Sequence, residues 1–169
     1  ESLVVCNSGS KLSLRDSKLH GSKANGVYSG SQLSIEIINC TLTDIEYSAI
    51  YAEGTKATIK GCIFTNLNGI SLHSSNGFLV EKNAFRKVTG TAISVCDGSK
   101  GVVSMNTISK TEGNAVFIKK SEVLLNNNEF SDSLYPASAV THKSKASLFD
   151  NKISNIEYNG IACRVTTDV

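Results

Sequence analysis

One short pattern recurs seven times along the chain, and it dictates a stacked architecture. Its marker position falls at Ser17, Cys40, Cys62, Asn83, Asn106, Asn128 and Asn151, in steps of 23, 22, 21, 23, 22 and 23 residues. Three residues before each marker stand Leu14, Ile37, Ile59, Val80, Val103, Leu125 and Leu148. Two residues after stand Leu19, Leu42, Phe64, Phe85, Ile108, Phe130 and Ile153. A unit this short cannot bury its apolar face alone, so successive units must cover one another. Composition agrees. Hydrophobic residues make up 40% of the chain but aromatics only 7%, with no Trp, which suits many thin layers better than one thick core.

A second apolar mark follows in each unit: Gly26-Val27-Tyr28, Ala49-Ile50-Tyr51, Gly69-Ile70-Ser71, Ala92-Ile93-Ser94, Ala115-Val116-Phe117, Ala139-Val140-Thr141 and Gly160-Ile161-Ala162. Both marks alternate apolar and polar residues, as in Ile35-Glu36-Ile37 and Ile70-Ser71-Leu72, which is the period of a strand. Gly, Ser, Asn, Asp and Lys separate them, as turns require. A third mark at Ile45, Leu67, Val88 and Ile156 predicts a further short strand or a corner. Strands of three to five residues, three to a coil, describe an all-β parallel β-helix. This single-stranded solenoid of about seven coils forms one domain over residues 1–169. Coils should rise about 4.8 Å each, aligning equivalent residues in columns. The marker column then becomes an inward asparagine ladder, since an amide both donates and accepts. Cys40 and Cys62 substitute in it as compact thiols. A leucine-rich repeat has a similar period, but Gln32, Gly54, Ser75 and Lys120 stand where it needs leucine.

Segments such as Asn68-Gly69-Ile70-Ser71-Leu72 followed by Val80-Glu81-Lys82-Asn83-Ala84-Phe85 resemble the right-handed parallel β-helix repeats of the pectate-lyase-like superfamily. The resemblance spans residues 3 to 163 and implies a right-handed coil. The superfamily holds polysaccharide lyases, hydrolases, uronate epimerases, phage tailspikes, and non-catalytic carbohydrate-binding or scaffold domains, so the resemblance specifies fold better than activity. Residues 159–169 start another coil, and the chain opens on Glu1 rather than Met. Both features predict a fragment of a longer chain, with flanking domains or end-to-end self-association.

A net charge of +2 and a pI near 8.3 argue against nucleic acid as a partner. No apolar run approaches the ~18 residues of a membrane span. Five cysteines without a Cys-x-x-Cys pair read as free thiols, which leans towards a reducing, cytoplasmic setting. A Cys40–Cys62 bridge remains the alternative. His20, His73 and His142 are too scattered for a metal site, and no cofactor is implied.

Catalysis requires groups from adjacent coils to meet on one outer face. The outward column Arg15, Ile38, Lys60, Glu81, Ser104, Asn126, Phe149 holds one carboxylate beside Lys60, which reads as a solvated ion pair. Asp44, Lys87, Lys110 and Asp132 share another column, with the two carboxylates four coils apart, too far to cooperate. No catalytic set is assigned. The candidate ligand-binding column is Tyr28, Tyr51, Ser71, Ser94 and Phe117, with His73 beside it near Glu53 and Cys96. The chain is therefore read as a non-catalytic module binding a polysaccharide or protein along an elongated face. The alternatives are a carbohydrate-active enzyme and a structural spacer.

Overall fold

A computed structural model describes residues 1–7, 9–31 and 34–164. Every regular element among them is a strand, and every strand pairing is parallel. The chain winds as a right-handed β-helix whose coils present three sheet faces. Face one stacks Lys11–Arg15, Ser34–Ile38, Lys56–Lys60, Asn76–Glu81, Lys100–Ser104, Glu122–Asn126 and Lys145–Phe149. Face two stacks Lys18–Ser22, the first half of Thr41–Glu53, the first half of Ile63–His73, Ala84–Val88, Thr107–Thr111, Glu129–Ser133 and Lys152–Ile156. Face three stacks Val4–Cys6, Val27–Gly30, the second halves of those two long strands, Ile93–Cys96, Val116–Lys119, Ser138–Thr141 and Ile161–Arg164.

The seven markers stack in one column, as the period requires. Leu42, Phe64, Phe85, Ile108 and Phe130 are fully buried beneath face two, and the Phe64 and Phe85 rings stack with centroids 4.5 Å apart. Burying each such ring contributes about 2–3 kcal/mol. Along the marker column the backbone N–H of Asn83 donates to Asn106 Oδ1 at 2.9 Å, Asn106 to Asn128 Oδ1 at 3.0 Å, and Asn128 to Asn151 Oδ1 at 2.9 Å. A second inward polar row, absent from the sequence reading, runs through Thr55, Ser75, Ser99 and Ser121 where face three turns back to face one. There the Ser75 N–H donates to Ser99 Oγ at 2.9 Å.

Corners are made by left-handed backbone. One column of positive φ, before the markers, is Asp16, Asn39, Gly61, Lys82, Met105, Asn127 and Asp150. Another, between faces two and three, is Gly21, Asp44, Asn66, Lys87, Lys110, Asp132 and Asn155. The latter contains the expected Asp44–Lys87–Lys110–Asp132 column. Asn and Asp tolerate this conformation better than other side chains. The third apolar mark at Ile45, Leu67, Val88 and Ile156 directly follows this corner and packs inward.

Three expectations need correction. Strands of three to five residues do not describe coils two and three, where Thr41–Glu53 and Ile63–His73 run through the corner. Only Asn68 and Gly69 separate Leu67 from Ile70, too little chain for a loop. Gly69 is required there, because a Cβ would lie 1.9 Å from the Ala92 carbonyl oxygen. In the sixth coil the second mark lies two residues earlier than Ala139-Val140-Thr141 suggests. Ser138 pairs with Val116 and Ala139 with Phe117. The sequence also sets His142 where other coils are apolar, but it occupies a corner of positive φ whose counterparts are Ser74, Asp97 and Lys120.

Candidate functional site

The register builds the candidate site on face three. Tyr28 pairs with Tyr51, Tyr51 with Ser71, Ser71 with Ser94 and Ser94 with Phe117, so all five residues form one outward column. They point out because Val27, Ile50, Ile70, Ile93 and Val116, one residue earlier in each strand, are fully buried. All five are half-buried, as is His73. Two residues along the strands, Glu53 pairs with His73 and His73 with Cys96.

The rings lie flat upon each other. Tyr28 and Tyr51 have centroids 5.5 Å apart and planes within 4°. His73 continues the stack, 5.2 Å from Tyr51 at 26°. Both faces of Tyr51 are thus covered, and what the stack offers outward is ring edges and hydroxyls. Such stacking also stiffens the sheet by about 0.5–1.5 kcal/mol per pair. Past Tyr51 the column shrinks to Ser71 and Ser94 before Phe117 restores bulk. The interval from Tyr51 to Phe117 is three coils, about 14 Å at the strand spacing. Polar atoms edge this trough. His73 Nδ1 lies 2.9 Å from Asp97 Oδ2, Ser71 Oγ lies 3.0 Å from Ser48 Oγ, and Ser94 Oγ lies 3.5 Å from Cys96 Sγ.

Electrostatics disfavour a thiol nucleophile here. Burial pushes the Cys96 thiol above its ordinary range, so it is poorly suited to act as a nucleophile despite standing beside His73. Burial, and then the neighbouring Glu53 carboxylate, raise the Tyr51 phenol. Among the described residues no three His, Cys, Asp or Glu side chains converge in a way that suits a metal ion. No helix there is long and apolar enough to cross a membrane. The Lys60–Glu81 pair on face one closes at 2.7 Å. Ser104, two coils from Lys60 in the same outward column, pairs in register with Glu81 and Asn126 and is almost fully covered.

Sequence reasoning missed a second aromatic pair. Tyr135 and Tyr158 stack at 5.5 Å and 23°, with 51% and 67% of their surfaces exposed. Both fall in the irregular stretch between faces two and three, outside the strand columns. Their separation of 23 residues was the available signal.

A family model described as "Right handed beta helix region" matches residues 2–153. No curated protein matches the chain. Among solved structures, one of trypsin-treated QnrB1, a plasmid-mediated fluoroquinolone resistance protein, aligns at 13% identity. That alignment covers 95% of this chain and 91% of the other, with a TM-score of 0.21, a likeness too slight to carry an argument.

Proposed function

The chain belongs to the right-handed β-helix family, and from that premise we propose that it is a non-catalytic module that holds a polysaccharide along face three. The single observation behind this reading is the trough over Ser71 and Ser94, between the Tyr28–Tyr51–His73 stack and Phe117. Its floor offers two hydroxyls, its margin offers Asp97, and it runs from the outer face of the His73 ring to the Phe117 ring. Sugars need this combination of hydrogen-bonding groups and apolar ring surface. A chain-like ligand laid along the axis would meet the same spacing at each coil. The experiment is a glycan-array screen with the intact protein, followed by titration of the best ligand. Ser94→Tyr fills the trough and should lower affinity at least tenfold while the fold persists; unchanged affinity removes this reading.

One observation favours a hydrolase as the second reading. Glu53 and Asp97 flank His73 from two coils apart, about 10 Å by strand spacing. That lies at the upper edge of the carboxylate separation of inverting glycosidases. Release of reducing ends from the bound glycan, abolished by Glu53→Gln, would replace the binding reading with this one.

A further inference from the structure

Face two shows what a solvated sheet looks like in this molecule. Its central outward column reads His20, Thr43, Thr65, Arg86, Ser109 and Ser131, polar at every coil. Face one departs from that rule. In its central outward column Leu79, Val102 and Leu124 occupy three consecutive coils, between Thr58 on one side and Ser147 on the other. They turn away from the core, because Phe78, Val80, Val103, Val123 and Leu125 are the buried side of the same strands. Along one edge of this stripe Met105 and Phe149 are 47% and 58% exposed. On that edge, too, Asn126 Oδ1 is covered yet accepts no hydrogen bond. An aliphatic stripe edged by exposed Met and Phe, with an unmet acceptor beside it, marks an interaction surface.

Its dimensions select the occupant. Three coils of a five-residue strand span about 14 by 17 Å, roughly 250 Å². A stable contact between two copies of the chain needs ~800 Å² on each, so the stripe suits a single short element. Residues i+3 and i+7 of a helix lie about 4.5 and 10.5 Å along its axis from residue i, close to the stripe's steps of about 4.8 and 9.6 Å. Alternate residues of an extended strand lie about 6.6 and 13.2 Å along and fall out of step. The stripe itself holds no ring for a sugar to lie upon, unlike the trough on face three. Charge then sets the polarity of the occupant. Lys56, Lys100 and Lys145 stand on the edge opposite Met105 and Phe149, and Glu122, 3.4 Å from Lys100, is the one carboxylate between them in that column. A groove of about 510 Å³ passes Leu124 between Lys100, Lys145 and Phe149.

We propose that face one docks an amphipathic helix of a partner protein along the solenoid axis. One apolar residue of the helix rests on each of Leu79, Val102 and Leu124, and its acidic flank meets Lys100 and Lys145. The surface is separate from the Ser71–Ser94 trough and does not rest on the polysaccharide reading. The probe is a synthetic peptide of about 14 residues, four helical turns, with Leu at i, i+3, i+4 and i+7 and Glu along one flank. Its scrambled isomer has equal composition and charge. Fluorescence anisotropy with the intact protein should show the patterned peptide binding and the scrambled one at least tenfold weaker. Val102→Thr with Leu124→Ser installs the residues that Thr58 and Ser147 supply in the same column, so the fold persists while affinity falls at least tenfold. Lys100→Glu with Lys145→Glu should reverse the preference, favouring a peptide with Lys along its flank. Thr65→Glu, on face two, should leave affinity within twofold. Equal binding of the two peptides, or equal binding by parent and the Val102→Thr, Leu124→Ser variant, overturns the proposal. A dimer in sedimentation that this variant abolishes would assign the stripe to a second copy, and glycan affinity lost in the variant would assign it to a sugar. Either result overturns the helix.

Discussion

On either side of Asn83 the same inward corner is closed by different chemistry. From Asn83 to Asn151 the amides link up the column, and Asn106 and Asn128 each make four side-chain hydrogen bonds. Asn106 accepts from the Asn83 backbone and side chain at 2.9 and 3.0 Å. It donates to Asn128 Oδ1 at 3.0 Å and to the Val80 carbonyl at 2.9 Å. In coils two and three the column is thiol. The Cys40 N–H reaches Cys62 Sγ at 3.4 Å, and the Cys62 thiol reaches the Ile37 and Lys60 carbonyls at 3.4 Å each. The backbone corner is nonetheless the same in both halves. Coil geometry is therefore held by the apolar columns and the strand ladder. The marker residue sets how well the buried polar groups of the corner are satisfied.

The contrast can be broken most severely at its strong end. Asn106→Ala would strand the Val80 carbonyl and two Asn83 donors in the interior. We expect a loss of about 4 kcal/mol, or roughly 10 °C in Tm by calorimetry. A smaller effect belongs to the thiol half alone. Burial pushes the Cys62 thiol from 9.0 up to about 11. The unfolded chain then releases its proton first, so stability is constant below pH 9 and falls as pH rises towards 11. The loss is about 2–3 kcal/mol at most by linkage, read from denaturant midpoints across that range. Cys62→Asn should flatten that alkaline decline. If the decline persists in the variant, the thiol is not its source. The smallest effect is a count. Cys163 is exposed and Cys6, Cys40, Cys62 and Cys96 are buried, so a thiol reagent at pH 8 should modify one residue natively and five after denaturation.

The inward columns were legible in the sequence because they obey strict spacing. A residue three before or two after the marker faces the core in every coil, and substitution there changes size without changing character. Corners were less legible. Lys82, Lys87, Met105 and Lys110 take left-handed backbone against local preference, so only neighbouring coils reveal it. The sixth coil misled by two residues because Ala139-Val140-Thr141 resembles the second mark as well as Ala137-Ser138-Ala139 does, and pairing with Val116 and Phe117 decides between them. On face three the column itself could be read, from Tyr28 to Phe117. The attitude of its rings could not, since stacking against His73 depends on χ angles that spacing does not encode.

The vertical alignment of the coils also has a consequence for length. Each coil presents to the next the same sheet edges it receives from the last, so adding or deleting one whole unit leaves every interior neighbour relationship intact. Adding one or two residues does not, and must be extruded sideways, as at Glu46 and Tyr47 where coil two outgrows coil three. Such a molecule is a ruler graduated in steps of about 4.8 Å, whose reach can change by duplication without redesign of its interior.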